Sequence, residues 1–191
     1  MTGDVATTAL AQRDVVTPDA VVPEPWANGL GVTRVIERRL AWRLSVAEMR
    51  GGTPFSHFPG LDRILLVAGD QPLGLAIEGR VHRLAPGDSV RFPGEARVRP
   101  SPTSLGARVV NLMTVRSLAT HRAERIVLDG RVVVPPRQDR IVVVLTGVAA
   151  LDGVSLPHGS ALLPSSDPRV LTGRGALAAL TVAPVPGIPL P

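Results

Sequence analysis

Short apolar runs, each broken after four to eight residues by glycine or proline, recur along almost the whole chain. With 19 Gly and 19 Pro among 191 residues, no segment keeps a helical period over a dozen positions, so a chain of this kind folds as β-structure. The runs predict strands over Thr33–Glu37, Trp42–Met49, Arg63–Ala68, Leu73–Ile77, Asp88–Phe92, Ala107–Val115, Glu124–Leu128, Arg140–Leu145, Ala161–Leu163 and Ala176–Val182. Aromatics are scarce, at 3 %, and Val, Leu, Ile and Ala must fill the core.

One long stretch reads twice. Arg63-ILLVAGDQPLGLAIEGRVHRLAPGDSVRFP aligns with Arg140-IVVVLTGVAALDGVSLPHGSALLP, the second copy being shorter in the hairpin around Glu78 and Arg83. Both run strand, Gly turn, strand, Gly turn, then Leu-x-x-Gly, strand, Pro. Two copies of one antiparallel unit predict a duplicated barrel. The expected division is a flexible leader over 1–20, an N-terminal half over 21–120 and a smaller C-terminal half over 121–191.

The leader carries Asp4, Arg13, Asp14 and Asp19 and lacks a basic start followed by an apolar block, so it does not read as a secretory signal. No run of about 18 apolar residues argues for a membrane span. The chain has no cysteine, which rules out disulfides and thiolate sites and fits a reducing cytoplasm. Every basic residue except the four histidines is arginine. Because arginine does not titrate in the usual range, a net charge of +5 is enough to drive the isoelectric point to about 11.4. The arginines are scattered rather than clustered with aromatics, so nucleic acid is not the expected partner.

The densest chemistry lies between Trp42 and Arg63, in WRLSVAEM, a short turn, and TPFSHFPGLDR. Alternation along a strand puts Arg43, Ser45 and Ala47 on one face, and Trp42, Leu44, Val46 and Glu48 on the other. If the turn carrying Phe55, Ser56 and Phe58 folds over the sheet, Arg43 and Arg63 converge with hydroxyls and rings on one small acidic ligand. Arginine suits this because its planar fork meets a carboxylate bidentately. The competing structural role is that Arg43 and Arg63 pair with Glu48 and Asp62 and tie strands together. PWANGLGVTR offers a second element, a loop in which Gly29 and Gly31 can take positive φ and present backbone N–H groups, with Trp26 as a wall or plug. Asn28, Thr33 and Arg34 beside it are candidate contacts, and Asn111, an amide in the apolar strand VVNLM, must find partners.

His57, His82, His121 and His158 stand apart, with no H-x-H pair, so neither a metal nor another cofactor is expected. There is also no G-x-S-x-G elbow to support a hydrolytic triad around His57.

PWANGLGVTR, WRLS, PFSHFPGLDR and NLM together resemble the HutD/Ves family of cupin proteins over Pro25 to Arg116, with a weaker match through the second repeat. The chain departs from the family pattern at Ala27, where a lysine is usual, and at Leu30, where a glycine is usual. The resemblance implies an all-β, RmlC-like jelly-roll bicupin without a metal, binding a small carboxylate metabolite such as urocanate or a formylated amino acid and regulating histidine utilisation. It marks Trp26, Asn28, Thr33, Arg34, Trp42, Arg43, Ser45, Phe55, Ser56, Asp62, Arg63 and Asn111 as conspicuous positions. All of these except Trp42 and Asp62 are the expected ligand contacts; no catalytic residue is assigned. The reading leans away from catalysis. Its alternatives are a metal-independent cupin enzyme of small acids, using His57 or Glu48 for proton transfer, and an interaction protein with a vestigial pocket. Edge strands leave room for a homodimer.

Overall fold

The computed structural model describes residues 14–26, 31–50 and 52–187, and every regular element in them except two short 3-10 turns is a strand. The first ten strands are β1 (Val15–Val16), β2 (Glu24–Pro25), β3 (Val32–Arg38), β4 (Trp42–Glu48), β5 (Leu61–Ala68), β6 (Leu73–Ile77), β7 (Arg80–Leu84), β8 (Ser89–Pro93), β9 (Val98–Pro100) and β10 (Arg108–Val115). Five more follow: β11 (Ala119–Val134), β12 (Arg140–Leu151), β13 (Val154–Leu156), β14 (Ala161–Leu162) and β15 (Arg169–Pro184). The ten expected strands are all present, most with shifted ends, and β1, β2, β7, β9 and β13 are additional.

The strands form three sheets. One runs β2-β3-β4-β10-β5-β8, one runs β1-β14-β12-β15-β11 with β13 on β12, and a small one runs β7-β6-β9. Hydrogen bonding among the described strands does not close either half into the expected barrel.

Alternation decides which face of each sheet meets what. Leu44 and Val46 of β4, Ile64 and Leu66 of β5, and Val110 and Leu112 of β10 form one buried cluster with Ile141, Val143 and Leu145 of β12 and Ala178 and Leu180 of β15. The two large sheets thus share a core. On the far side of the first sheet, Ala47, Leu65, Val67, Val109 and Phe92 pack with Leu73 and Leu75 of the small sheet. On the far side of the second, Val142, Val144, Leu162, Leu171 and Leu177 form their own cluster.

Where the sequence repeats, the order of the strands and two of the turns correspond. The order β4-β10-β5-β8 in one sheet matches β11-β15-β12-β14 in the other, and the aligned segments supply corresponding strands. The Leu-x-x-Gly turns match as well. Gly87 donates to the Val67 carbonyl at 2.9 Å, and Gly159 donates to the Val144 carbonyl at 2.8 Å. Both glycines hold positive φ, 86° and 88°, a region that other residues enter only with strain.

The expected leader is structured from Asp14 onward. Val15 and Val16 pair with Leu162 and Ala161, so β1 extends the C-terminal sheet rather than preceding the N-terminal half as a free segment. Residues 1–13 lie outside the described residues. No helix among the described residues is long and apolar enough to cross a membrane, which says nothing of spanning by strands.

Candidate functional site

A cavity of about 290 Å³ opens on the face of the first sheet that points away from the shared core. The register brings its polar floor together. Met113 on β10 is flanked by Arg43 on β4 and Arg63 on β5, and one pair further along Asn111 is flanked by Ser45 and Leu65. Arg43 and Ser45 therefore face the cavity while Leu44 and Val46 enter the shared core, as the alternation predicts.

The segment between β4 and β5 forms the roof. It is pinned by Phe55 N–H to the Val98 carbonyl at 2.9 Å and by Phe58 N–H to the Gly94 carbonyl at 2.8 Å. So held, it places Phe55 and Phe58 over the arginines. The Arg63 guanidinium carbon lies 5.2 Å from the Phe55 ring centre, 5.5 Å from Phe58 and 4.9 Å from Phe92, and that of Arg43 lies 5.5 Å from Phe58. The chain has three phenylalanines, and all of them surround Arg63.

The electrostatics are unusual. Arg63 is only 4 % exposed, and its Nε lies 3.5 Å from the Asn111 Oδ1, a long hydrogen bond. Its Nη1 and the Nε of Arg43 are buried without a partner. Burial first, and the neighbouring positive charge of Arg43 second, lower the Arg63 pKa to about 10, which still leaves it charged at neutral pH. Burial, then repulsion from Arg38, lowers that of Arg43. The strand-tying role does not apply, because Glu48 pairs with Arg108 at 2.9 Å and Asp62 pairs with Arg116 at 2.7 Å. The carboxylate among the lining residues is Glu24 at the rim, itself paired with the exposed Arg38 at 3.5 Å.

Trp26 walls the cavity on the β3 side, and its Nε1 donates to the Thr33 Oγ1 at 2.7 Å. The expectation for Gly31 needs correction. It does not take positive φ; instead, a Cβ there would sit 2.8 Å from the Trp26 ring, so glycine is needed to let the indole lie across the backbone. Thr33, Phe55, Ser56 and Asn111 line the cavity with Trp26, Arg43, Ser45 and Arg63. Arg34 does not. It pairs in register with Val46 and so belongs to the opposite face of β3. Asn28 and Gly29 lie outside the described residues. Trp42 packs against the shared core.

Phe58 takes the place over the arginines that the turn suggested, and Phe92, Met49, Met113 and Glu24 are contributors beyond the expected contacts. Phe92 comes beside Arg63 because the two residues pair in register across β5 and β8, a pairing the sequence alone does not give. Neither proposed proton-transfer group reaches the cavity. His57 is exposed and lines a separate depression with Pro54 and Arg97, and Glu48 is held by Arg108. Among the described residues no three His, Asp or Glu side chains gather as a metal site would require.

Comparison with known proteins gives consistent relatives. A family model described as HutD matches residues 19–183. An uncharacterized 21.2 kDa protein in the hutC 3' region of Pseudomonas putida is 32 % identical over 114 residues, covering 56 % of this chain and 59 % of that protein. Protein Ves of Citrobacter koseri is 32 % identical over 81 residues, covering 39 % and 42 %. Each of these matches therefore spans less than two thirds of the curated relative. Among solved structures, HutD from Pseudomonas fluorescens SBW25 superposes with a TM-score of 0.72 at 23 % identity over 90 % of this chain and 98 % of that one. A cupin 2 conserved barrel domain protein from Leptotrichia buccalis superposes with a TM-score of 0.58 at 11 % identity over 88 % and 96 %. These likenesses establish a cupin-like all-β fold.

Proposed function

The chain belongs to the HutD/Ves family in the cupin superfamily, and from that premise we propose that it binds a small organic carboxylate between Arg43 and Arg63. The observation that carries this reading is a guanidinium 4 % exposed, beside a second one, with unpartnered buried N–H groups and, among the described residues, no carboxylate pairing with either. A buried charge without a counter-charge costs several kcal/mol. The Phe55, Phe58 and Phe92 faces offset part of that, at about 2 kcal/mol for a desolvated cation–π contact. A bound carboxylate offsets the rest, because hydrogen bonds to charged groups contribute about 1.5–3 kcal/mol each.

The remaining lining sets the ligand class. A volume of about 290 Å³ sits at the small end of ligand pockets, which span roughly 300–1,000 Å³. Trp26 and Phe55 supply flat walls, and Thr33, Ser45, Ser56 and Asn111 supply polar groups that orient a ligand. Urocanate, a planar ring bearing one carboxylate, and formyl-amino acids fit this description. The P. putida relative is named for its place beside hutC, and on that link we assign the protein to regulation of histidine utilisation, by sequestering or sensing the metabolite in the cytoplasm. The matching strand orders and Leu-x-x-Gly turns support an internal duplication, a bicupin with halves at 21–120 and 121–191, and the open sheet edges suit a homodimer.

The test is a thermal-shift screen of the full chain against urocanate, formylglutamate, formate, glutamate and histidine, repeated with Arg43→Gln and Arg63→Met. A ligand at about 100 times its Kd adds about 2.7 kcal/mol to native stability. One acid is expected to raise the melting temperature of the wild type and of neither folded variant. If no acid does so, or the variants respond like the wild type, the assignment fails.

A further inference from the structure

The arginine pair of the cavity has a counterpart in the other half. In the second sheet Thr181 on β15 is flanked in register by Arg122 on β11 and Arg140 on β12, just as Met113 is flanked by Arg43 and Arg63. The strand orders make these corresponding positions, and the faces correspond too. Arg122 and Arg140 alternate with Ala123 and Ile141 of the shared core and so lie on the face that carries Val142 and Leu177.

These side chains line an open groove of about 430 Å³ together with Arg91, Arg137, Glu124 and His121. Arg137 comes from the loop between β11 and β12, the place that the Phe55–Phe58 roof takes in the first half. Four guanidinium groups thus meet two carboxylates, Glu124 and Asp139. Asp139 is engaged by Arg137 through bonds of 2.9 and 2.7 Å, whereas Glu124 reaches Arg122 only at 3.9 Å. Arg140 has a buried Nε without a partner and no ion pair among the described residues. Arg91 is turned in by a hydrogen bond to the His121 carbonyl.

Substitutions within the pattern separate the two sites, and the one that changes the charge is Ser45 to Glu124. Ser45 pairs with Asn111, and at the corresponding register Glu124 pairs with Ala179. A carboxylate there repels a second negative charge on a ligand and attracts a cation. We infer that this groove is a second carboxylate site, formed by Arg122 and Arg140, and that it takes a zwitterion, an amino acid whose ammonium group faces Glu124. The groove stands on its own residues, so it does not depend on the cavity of the first half being filled.

The test is an NMR titration of the full-length ¹⁵N-labelled chain with L-alanine, with propionate, which lacks the ammonium group, and with inorganic phosphate. L-alanine is expected to move the amide signals of Arg122, Arg140 and Thr181 along a saturating curve at millimolar concentration. Arg122→Gln, at a position exposed enough to leave folding intact, is expected to weaken that curve about fivefold, while Arg63→Met leaves it unchanged. Absence of a saturating response, or a response indifferent to Arg122→Gln, overturns the site. Propionate or phosphate binding as tightly as L-alanine overturns the role of Glu124. A response lost only in Arg63→Met overturns the second site and leaves the first in place.

Discussion

Arg63 is a fixed charge buried among three rings, and its cost to the fold is separable from its use. Met is near in volume and carries no charge. Arg63→Met is therefore expected to leave the ligand-free melting temperature unchanged or raised, as replacements of buried charges by well-packed apolar groups often do, while abolishing stabilisation by the acid. A loss of about 3 kcal/mol in urea unfolding of the free variant would show instead that Arg63 is a structural tie. Gly31→Ala is expected to push the Trp26 indole off the backbone at a cost of about 1–3 kcal/mol and to change the fluorescence of Trp26 in a Trp42→Phe background. At His121, burial and the Arg91 charge push the pKa down to about 4, and its Nδ1 sits 2.9 Å from the Thr114 Oγ1. The unfolded chain takes up that proton below about pH 6.5 and the folded chain only near 4, so this contribution is complete above pH 6.5 and falls away as pH drops towards 4. For a half-buried ring the loss is about 1–2 kcal/mol. Urea unfolding at pH 7 and pH 4.5 is expected to show a smaller drop for His121→Asn than for the wild type. Local sequence does not disclose this histidine's burial, because Thr114 and Arg91 reach it from the other sheet.

At the level of strands, periodicity served well where one face is buried and failed where glycine interrupts a ladder. β4, β5 and β10 alternate cleanly, so their faces and the convergence of Arg43, Ser45 and Arg63 were legible. β15 runs from Arg169 rather than from Ala176, and it carries Gly173 and Gly175 inside the strand, where the facing backbone of β12 leaves no room for a Cβ. The expected strand begins only after those glycines, at Ala176. β11 likewise extends over 16 residues although its alternation is mostly exposed. The strand β1 was missed because two valines give no period. It caps the edge of β14, with Leu163 N–H bonded to the Asp14 carbonyl at 2.7 Å. Removing residues 1–17 is expected to destabilise the chain by a few kcal/mol and to raise amide exchange first in β14 and the adjoining part of β12. Uniform exchange with unchanged stability would contradict that role for β1.

Over the whole molecule, one shared core fixes two sheets back to back and leaves each with an outward face that ends in an arginine pair. The first face is roofed by Phe55 and Phe58 and walled by Trp26, which lowers the local dielectric around the uncompensated charge, the condition on which the proposed anion binding rests. The second has a shorter loop and stays open. Which arginines were left unpaired depended on Arg108 and Arg116 taking Glu48 and Asp62, long-range pairings that no local pattern encodes. The central claim is that a carboxylate bridges Arg43 and Arg63 inside the cavity. A crystal structure of the full chain grown with urocanate tests it most directly. The account predicts the carboxylate oxygens within about 2.7–2.9 Å of both guanidinium groups, with the imidazole ring against Trp26 or Phe55. A cavity holding only water at a saturating concentration, or the carboxylate turned out towards solvent, would contradict it.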